Sequence, residues 1–233
     1  MSDKHLSTQF DTELAAISNR VLEMGGLVEM QVGQALHALT NFSADAADEV
    51  LRQEERVNQM EVDIDRELSA IIARRQPTAR DLRLLIAISK AIANLERVGD
   101  EAARIARTVG RLIKAGIPTK LPLADLDFEA NLAIAQLRKA LDALARLDTA
   151  RALEVLKQDD LIDQEFDGLL RKLITYMMED PRTISACIDI VFVAKAIERV
   201  GDHAKNLAEA TIYVVKGTDV RHASVADVEN VVR

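Results

Sequence analysis

The chain has 233 residues, 48% hydrophobic and 29% charged, enough apolar material for a large core, which excludes a disordered or collagen-like polymer. Nine glycines, four prolines, no tryptophan and 3% aromatic residues are too few for a fold of short strands and tight turns, so the composition predicts an all-α protein. A formal charge of −8 argues against nucleic acid as the main partner, because a phosphate backbone needs a cationic face.

The sparse helix breakers divide the chain. Pro77, the group Gly116, Pro118 and Pro122, then Pro181 and Gly217 separate six long segments, predicted as helices over 10–39, 44–75, 78–115, 123–147, 149–179 and 182–216. The N-terminal MSDKHLSTQF lacks the apolar stretch of a secretory signal. With a single cysteine, Cys187, unable to close an intramolecular disulfide, the expected compartment is a reducing cytoplasm. In the first helix, Met24 with Gly25 and Gly26 reads as a place of close helix packing or a kink. Ser43 is expected to cap the second helix, whose line Val50, Glu54, Val57, Glu61, Ile64 and Leu68 is a bundle seam carrying two acids.

Thr78 with Asp81 reads as a capping box opening the third helix. Its apolar line runs through Ile88, Leu95, Gly99, Ala102 and Ala106, with Glu96 and Asp100 one position over. The fifth helix repeats the acid-bearing seam with Val155, Asp159, Ile162, Phe166, Leu169 and Leu173, and Asp163 beside it. Asp180 and Pro181 read as N-cap and first residue of the sixth helix, and Gly217 as its C-terminal glycine. The most apolar run, 184–197, is cut by Asp189 and Lys195, so no transmembrane segment is expected. Residues 218–233 are left as a short helix or a loose tail. Cys187 reads as a small buried apolar residue.

Glu96-Arg97-Val98-Gly99-Asp100 recurs letter for letter as Glu198-Arg199-Val200-Gly201-Asp202, 102 positions on. The second and fifth helices correspond at nearly the same offset, Gln53-Glu54 with Gln158-Asp159 and Val57-Asn58 with Ile162-Asp163. The reading is two tandem three-helix bundles, 1–117 and 118–217, followed by a tail over 218–233, with sequence neighbours antiparallel in space.

Two carboxylates four residues apart on a helix are separated by about 6 Å and point the same way. Several such groups in a partly desolvated seam repel one another unless a cation is present. All-oxygen donors suit hard multivalent ions, and the lack of a cysteine cluster disfavours a structural zinc site. The opposing reading is ordinary ion pairing, Asp100 with Arg104, Asp202 with Lys205 and Glu198 with Lys195. Arg97 and Arg199 are expected to reach acids on adjacent helices. His203 is a candidate ligand or a donor to one, and His5, His37 and His222 are read as incidental.

The duplicated Glu-Arg-Val-Gly-Asp, the stretch Gln76-Pro77 through Asp81-Leu82-Arg83, the acid-rich second helix and Asp202-His203-Ala204-Lys205-Asn206-Leu207-Ala208-Glu209 together resemble the PhoU family of phosphate-signalling regulators over about residues 10–216. The resemblance implies a cytoplasmic, non-enzymatic negative regulator of the phosphate-starvation regulon and of phosphate uptake, peripheral at the inner membrane through its partners. Those implied partners are the ATPase subunit, PstB, of the phosphate ABC transporter and the sensor histidine kinase PhoR. The family's acid-x-x-x-acid metal pairs map onto Glu96 with Asp100, Glu198 with Asp202 and Asp159 with Asp163. Glu54 faces Asn58 where the pattern favours an acid, so the first site has one charge fewer, and Glu209 is a further acid near the second. The implied ion is Mg, Mn, Fe, Zn or Ca, its identity open.

The alternative is a carboxylate-bundle metal store or di-iron enzyme, but such bundles carry Glu-x-x-His pairs, absent from this sequence. No phosphate-cradling glycine loop, Gly-x-Ser-x-Gly or His-Glu-x-x-His occurs. A metal-free helical scaffold is the third reading. Leftover apolar faces on long helices favour a homodimer.

Overall fold

The computed structural model of the chain describes residues 8–116 and 123–233. Six long helices form, α1 (Thr8–Asn41), α2 (Ala44–Arg75), α3 (Ala79–Ala115), α4 (Leu123–Arg146), α5 (Thr149–Glu179) and α6 (Ile184–Lys216), followed by a short α7 (Val225–Val232). The expected all-α architecture holds, and α7 occupies the stretch left between helix and tail. Pro118, Pro122, His5 and the boundary expected at 117/118 lie outside the described residues.

Local chemistry sets the helix ends. Ser43 Oγ accepts the N–H of Ala46 at 3.3 Å, as expected of an N-cap. Its counterpart Asp148 accepts from Ala150 and Arg151 at the start of α5. Just before each cap the chain passes through the left-handed region, at Phe42 (φ 46°) and Leu147 (φ 51°). The N–H groups of Ser43 and Asp148 then donate back to Ala38 and Ala143, both at 2.9 Å. The α1–α2 and α4–α5 hairpins are therefore one turn used twice, although past the shared Ala-Leu no letter of Thr40–Ser43 recurs in Ala145–Asp148.

Two expected caps differ. Thr78 is the N-cap of α3 but makes no side-chain cap bond. Asp180 and Pro181 open a single 3₁₀ turn, Pro181–Thr183, with the Asp180 carboxylate accepting from the Arg182 N–H, and α6 begins three residues later. Rigid φ at proline suits that tight first turn equally well. Gly217, left-handed at φ 74°, ends α6 as expected.

The two bundles share one continuous apolar core. α3 and α6 run antiparallel through its middle, pinned by Arg111 to Asp189 at 2.8 Å, Arg199 to Glu101 at 3.1 Å and Lys90 over the ring of Tyr213. α1 and α4 meet beside them. A Cβ on Gly25 would lie 2.5 Å from Leu141 Cδ2, whereas nothing stands near Gly26, so the close packing read at this pair belongs to Gly25. α2 flanks the first bundle and α5 the second. Among the described residues no helix is long and apolar enough to cross a membrane.

Candidate functional site

Each repeat builds its acidic seam from the same three parts. In the first, Gln31 of α1 donates through Nε2 to the Val50 carbonyl at 3.2 Å and to Glu54 Oε2 at 2.7 Å. Both side chains fill the space that Gly99 leaves on α3, where a Cβ would meet Glu54 Oε2 at 2.8 Å and Gln31 Oε1 at 3.1 Å. The motif glycine thus admits a polar pair. The space is filled by side-chain atoms, not by the backbone of a neighbouring helix. In the second repeat Gln136 of α4 donates to the Val155 carbonyl at 3.2 Å and to Asp159 Oδ1 at 3.5 Å, beside Gly201.

Around Glu54 the structure gathers Glu61, Glu96 and Asp100 on the α2–α3 seam. Burial holds the carboxyls of Glu54, Glu61 and Glu96 above the usual carboxylate range, and the charge of Asp100 adds to each. The opposing charge on Glu96 is Arg97, its sequence neighbour, at 3.7 Å. Among the described residues Arg97, on the exposed edge of α3, makes no ion pair with an acid on another helix, and only its charge is felt across the seam by Glu61. Glu54 Oε1 is buried without a partner.

The second seam gathers Asp159, Asp163, Glu198 and Asp202, with a different balance. Lys205 Nζ lies 2.5 Å from Asp159 Oδ2, across from α6 to α5, instead of pairing within its own helix with Asp202. Lys195 holds Glu198 at 2.7 Å as the ion-pair reading anticipated. Burial raises the Asp163 and Asp202 carboxyls, helped by their acidic neighbours, Asp202 to about 6. Glu209, also raised by burial, stands on the same side of α6. Arg104 pairs with Glu101 at 3.3 Å rather than with Asp100, and Arg199 reaches Glu101 from the neighbouring helix as expected.

The donor chemistry of both seams is that of a hard-cation site, all carboxylate and amide oxygen. Among the described residues no three His, Cys, Asp or Glu stand ready-assembled at ligand distances. The first seam has crowded acids and one buried unpartnered oxygen, which a cation would satisfy. In the second, two lysines already neutralise two of the four acids. The charge difference read from Asn58 is outweighed by these lysines, Lys195 from within α6 itself and Lys205 across to α5 by tertiary packing.

His203 is held by an amide and not by a seam acid. Its Nδ1 lies 3.0 Å from Asn94 Oδ1, which also accepts from Asn206 at 2.9 Å, so the network places the proton on Nδ1. Burial, with Arg97 and Arg199 close by, lowers its pKa to about 4. Beside it lies a cavity of about 710 Å³ with Arg97, Arg199, Asp202 and Lys205 on its walls and His222 and Val228 from the C-terminal segment as its roof. His222, read as incidental, holds its backbone at φ 65° there. The segment is fastened by buried Val220 and Val228, an ion pair from Glu229 to Lys157, and Lys216 donating to the Val232 carbonyl at 2.7 Å. Val228→Asp is expected to release it, speeding proteolysis within 218–233 by about tenfold or more while lowering the melting temperature of the six-helix body by only about 2 °C; mass spectrometry of timed digests checks this.

Gln31, Gln136, Glu101 and Glu129 are site residues that the sequence reading passed over. The two glutamines stand 105 positions apart, the same offset as Glu54 and Asp159, so extending the repeat comparison to the first and fourth helices finds them. Glu129 has no such signal. It is buried at 0% exposure on α4, and burial, then the charges of Glu198 and Glu165, push its carboxyl up to about 8.

The PhoU domain family model matches residues 21–109 and 129–211. Over 225 residues the chain is 53% identical to a phosphate-specific transport system accessory protein PhoU homolog of Burkholderia sp, covering 96% of each. It is 45% identical to the phosphate-specific transport system accessory protein PhoU of Escherichia coli strain K12, covering 94% of this chain and 90% of that one. The crystal structure of PhoU from Pseudomonas aeruginosa superposes with a TM-score of 0.87 at 44% identity, covering 90% of this chain and all of that one. That of the phosphate transport system regulatory protein PhoU from Streptococcus pneumoniae gives a TM-score of 0.84 at 26% identity, with 91% of this chain and 99% of that one covered.

Proposed function

The chain belongs to the PhoU family, and on that premise we propose that it represses phosphate uptake and the phosphate-starvation regulon as an adaptor between a phosphate ABC transporter and a sensor histidine kinase. It is a non-enzymatic accessory protein with a role in regulating phosphate transport, as its relatives are named. The observation that carries the reading is the pair of PhoU repeats over residues 21–109 and 129–211, each with its acidic seam, joined by one continuous core. The partners proposed are the transporter's ATPase subunit, PstB, and the kinase PhoR, met in the cytoplasm at the inner membrane.

A docking face supports the adaptor reading. Phe128 on α4, Ile174 and Met178 on α5, and Ile184, Ile188 and Phe192 on α6 are all exposed. The start of α4, the end of α5 and the start of α6 lie together at one end of the second bundle, as Lys172 to Asp125 at 2.6 Å attests. Large apolar side chains gathered on one end mark a surface that another protein covers. Purified chain is expected to capture the ATPase subunit and the kinase domain in phosphate-replete, metal-replete buffer, with Ile188→Asp/Phe192→Asp weakening at least one capture about tenfold or more. Failure to capture either protein under those conditions removes the adaptor reading.

The metal ions belong to the same proposal. Glu96, Asp100 and Glu54, with Glu61, would hold one hard divalent cation, and Asp159, Asp163, Glu198 and Asp202 another after Lys195 and Lys205 withdraw. Calorimetric titration with Mn²⁺ is expected to show tighter binding at the first seam, abolished by Glu96→Ala/Asp100→Ala, and about tenfold tighter binding at the second seam in Lys205→Met. A Lys205→Met chain that binds Mn²⁺ no better than the parent overturns the competition between lysine and metal.

A further inference from the structure

Glu129 is a carboxylate placed in the core with nothing to hold it. It is fully buried, and neither of its oxygens has a hydrogen-bond partner. The internal repeat shows what packing alone would put there. With Gln31 matched to Gln136, Glu129 corresponds to Met24, itself fully buried, and Glu165 to Met60. The first repeat fills with methionine the positions that the second fills with acid. Methionine needs no partner, whereas a buried carboxylate without one is costly in either protonation state.

Helix register says what Glu129 faces. Two turns along α4, Gln136 meets Asp159 of α5 and stands beside Gly201 of α6. α5 runs against α4 and α6 runs with it. Two turns back toward the start of α4, the same layer therefore holds Glu165 and Phe166 on α5 and Lys195 with Glu198 one turn on. Lys195 confirms this layer, since its Nζ lies 2.7 Å from Glu198 and 5.4 Å from the centre of the Phe166 ring. Glu165 and Glu198 are half-buried at the rim, and Glu129 lies beneath them.

We propose that Glu129, Glu165 and Glu198 form an inner seat for one hard divalent cation, Mg²⁺ or Mn²⁺, present in the second repeat only. Six carboxylate oxygens match the ligand preference of such ions. The ion enters as Glu165 and Glu198 turn inward onto Glu129 and Lys195 leaves Glu198. A proton would cancel the charge on Glu129 but leave its remaining acceptor capacity unpaired. A cation shared among three carboxylates removes both costs. The seat deepens the metal reading of the second repeat and rests on it only through Glu198.

The test is Mn²⁺ binding by the full chain, counted by electron paramagnetic resonance of free Mn²⁺, together with thermal unfolding with and without chelator. Glu129→Met is expected to bind one ion fewer than the parent and to lose at least half of the Mn²⁺-induced rise in melting temperature, and Glu129→Gln to weaken that ion about tenfold or more. Glu96→Ala/Asp100→Ala leaves the Glu129-dependent ion in place. Unchanged ion count and unchanged melting shift in Glu129→Met overturn the inner seat and leave the outer pairs standing. A parent chain that binds no Mn²⁺ at millimolar concentration overturns both. Since methionine already packs at the equivalent site of the first repeat, Glu129→Met is expected to fold.

Discussion

Gly99→Ala is expected to destabilise the protein by about 2 kcal/mol, against the usual gain from replacing a helical glycine. Alanine improves helix propensity by roughly 1 kcal/mol. At Gly99 that gain is overrun, because the new methyl would sit 2.8 Å from Glu54 Oε2, 3.1 Å from Gln31 Oε1 and 3.3 Å from Val57 Cγ1. Overpacking a core costs about 1–3 kcal/mol. Displacing Glu54 also breaks its 2.7 Å bond from Gln31, a charge-assisted hydrogen bond worth roughly 1.5–3 kcal/mol. Gly201→Ala meets mainly Ile162 Cδ1, the free end of a side chain that can rotate away, so its net cost is about 1 kcal/mol or less. Gly26→Ala, with open space around it, gains about 0.5–1 kcal/mol. Urea unfolding of the three variants gives the ranking directly. A Gly99→Ala protein as stable as Gly26→Ala would show that the motif glycine does not hold the polar pair.

The metal-free protein is expected to lose stability as pH rises through neutrality. Glu54, Glu61, Glu96, Asp163 and Glu209 are raised by burial, with Asp202 at about 6 and Glu129 at about 8. For a raised carboxyl, the folded state keeps a proton that the unfolded state has released. The stability it contributes is whole below the unfolded pKa and is lost as pH climbs through the folded one. For Glu129, raised from 4.5 to about 8, the loss is on the order of 4 kcal/mol between about pH 5 and pH 9. Carboxyls held low by arginine, Glu13 beside Arg75 and Asp219 beside Arg221, act in the opposite direction, and only in strong acid, because their pairs weaken as pH falls. Urea midpoints measured in chelator at about pH 5.5 and about pH 8.5 should therefore fall with pH, and the fall should be largely absent in Glu129→Met. A midpoint that climbs over this interval would mean that Glu129 is charged and accommodated without cost.

Much of the architecture was legible in the residues. Proline and glycine act on their own backbone, so Pro77, Gly116 and Gly217 marked helix ends without knowledge of the fold. The left-handed turns at Phe42 and Leu147 were not marked, because nothing about phenylalanine or leucine favours that conformation; the Ser43 and Asp148 caps beside them and the packing of the hairpin hold it. The acids on the seams were legible from their spacing, since helical periodicity alone places Glu54, Asp159 and the motif carboxylates beside the apolar line. The cations that answer them were less so. Lys205 was assigned to a neighbour on its own helix and instead crosses to Asp159, and Arg97, assigned to another helix, stays beside Glu96.

From sequence alone came the helical class, the six long segments, the duplicated unit and the residues able to carry negative charge into its seams, because each depends on interactions within a few turns of one helix. Tertiary structure decided which amide bonds Glu54, why position 99 has no side chain, which lysine neutralises Asp159, and that Glu129 lies unpartnered where the first repeat has a methionine. Those outcomes depend on the register between helices distant in the chain. That register is settled by the packing of the whole core, and no local pattern encodes it.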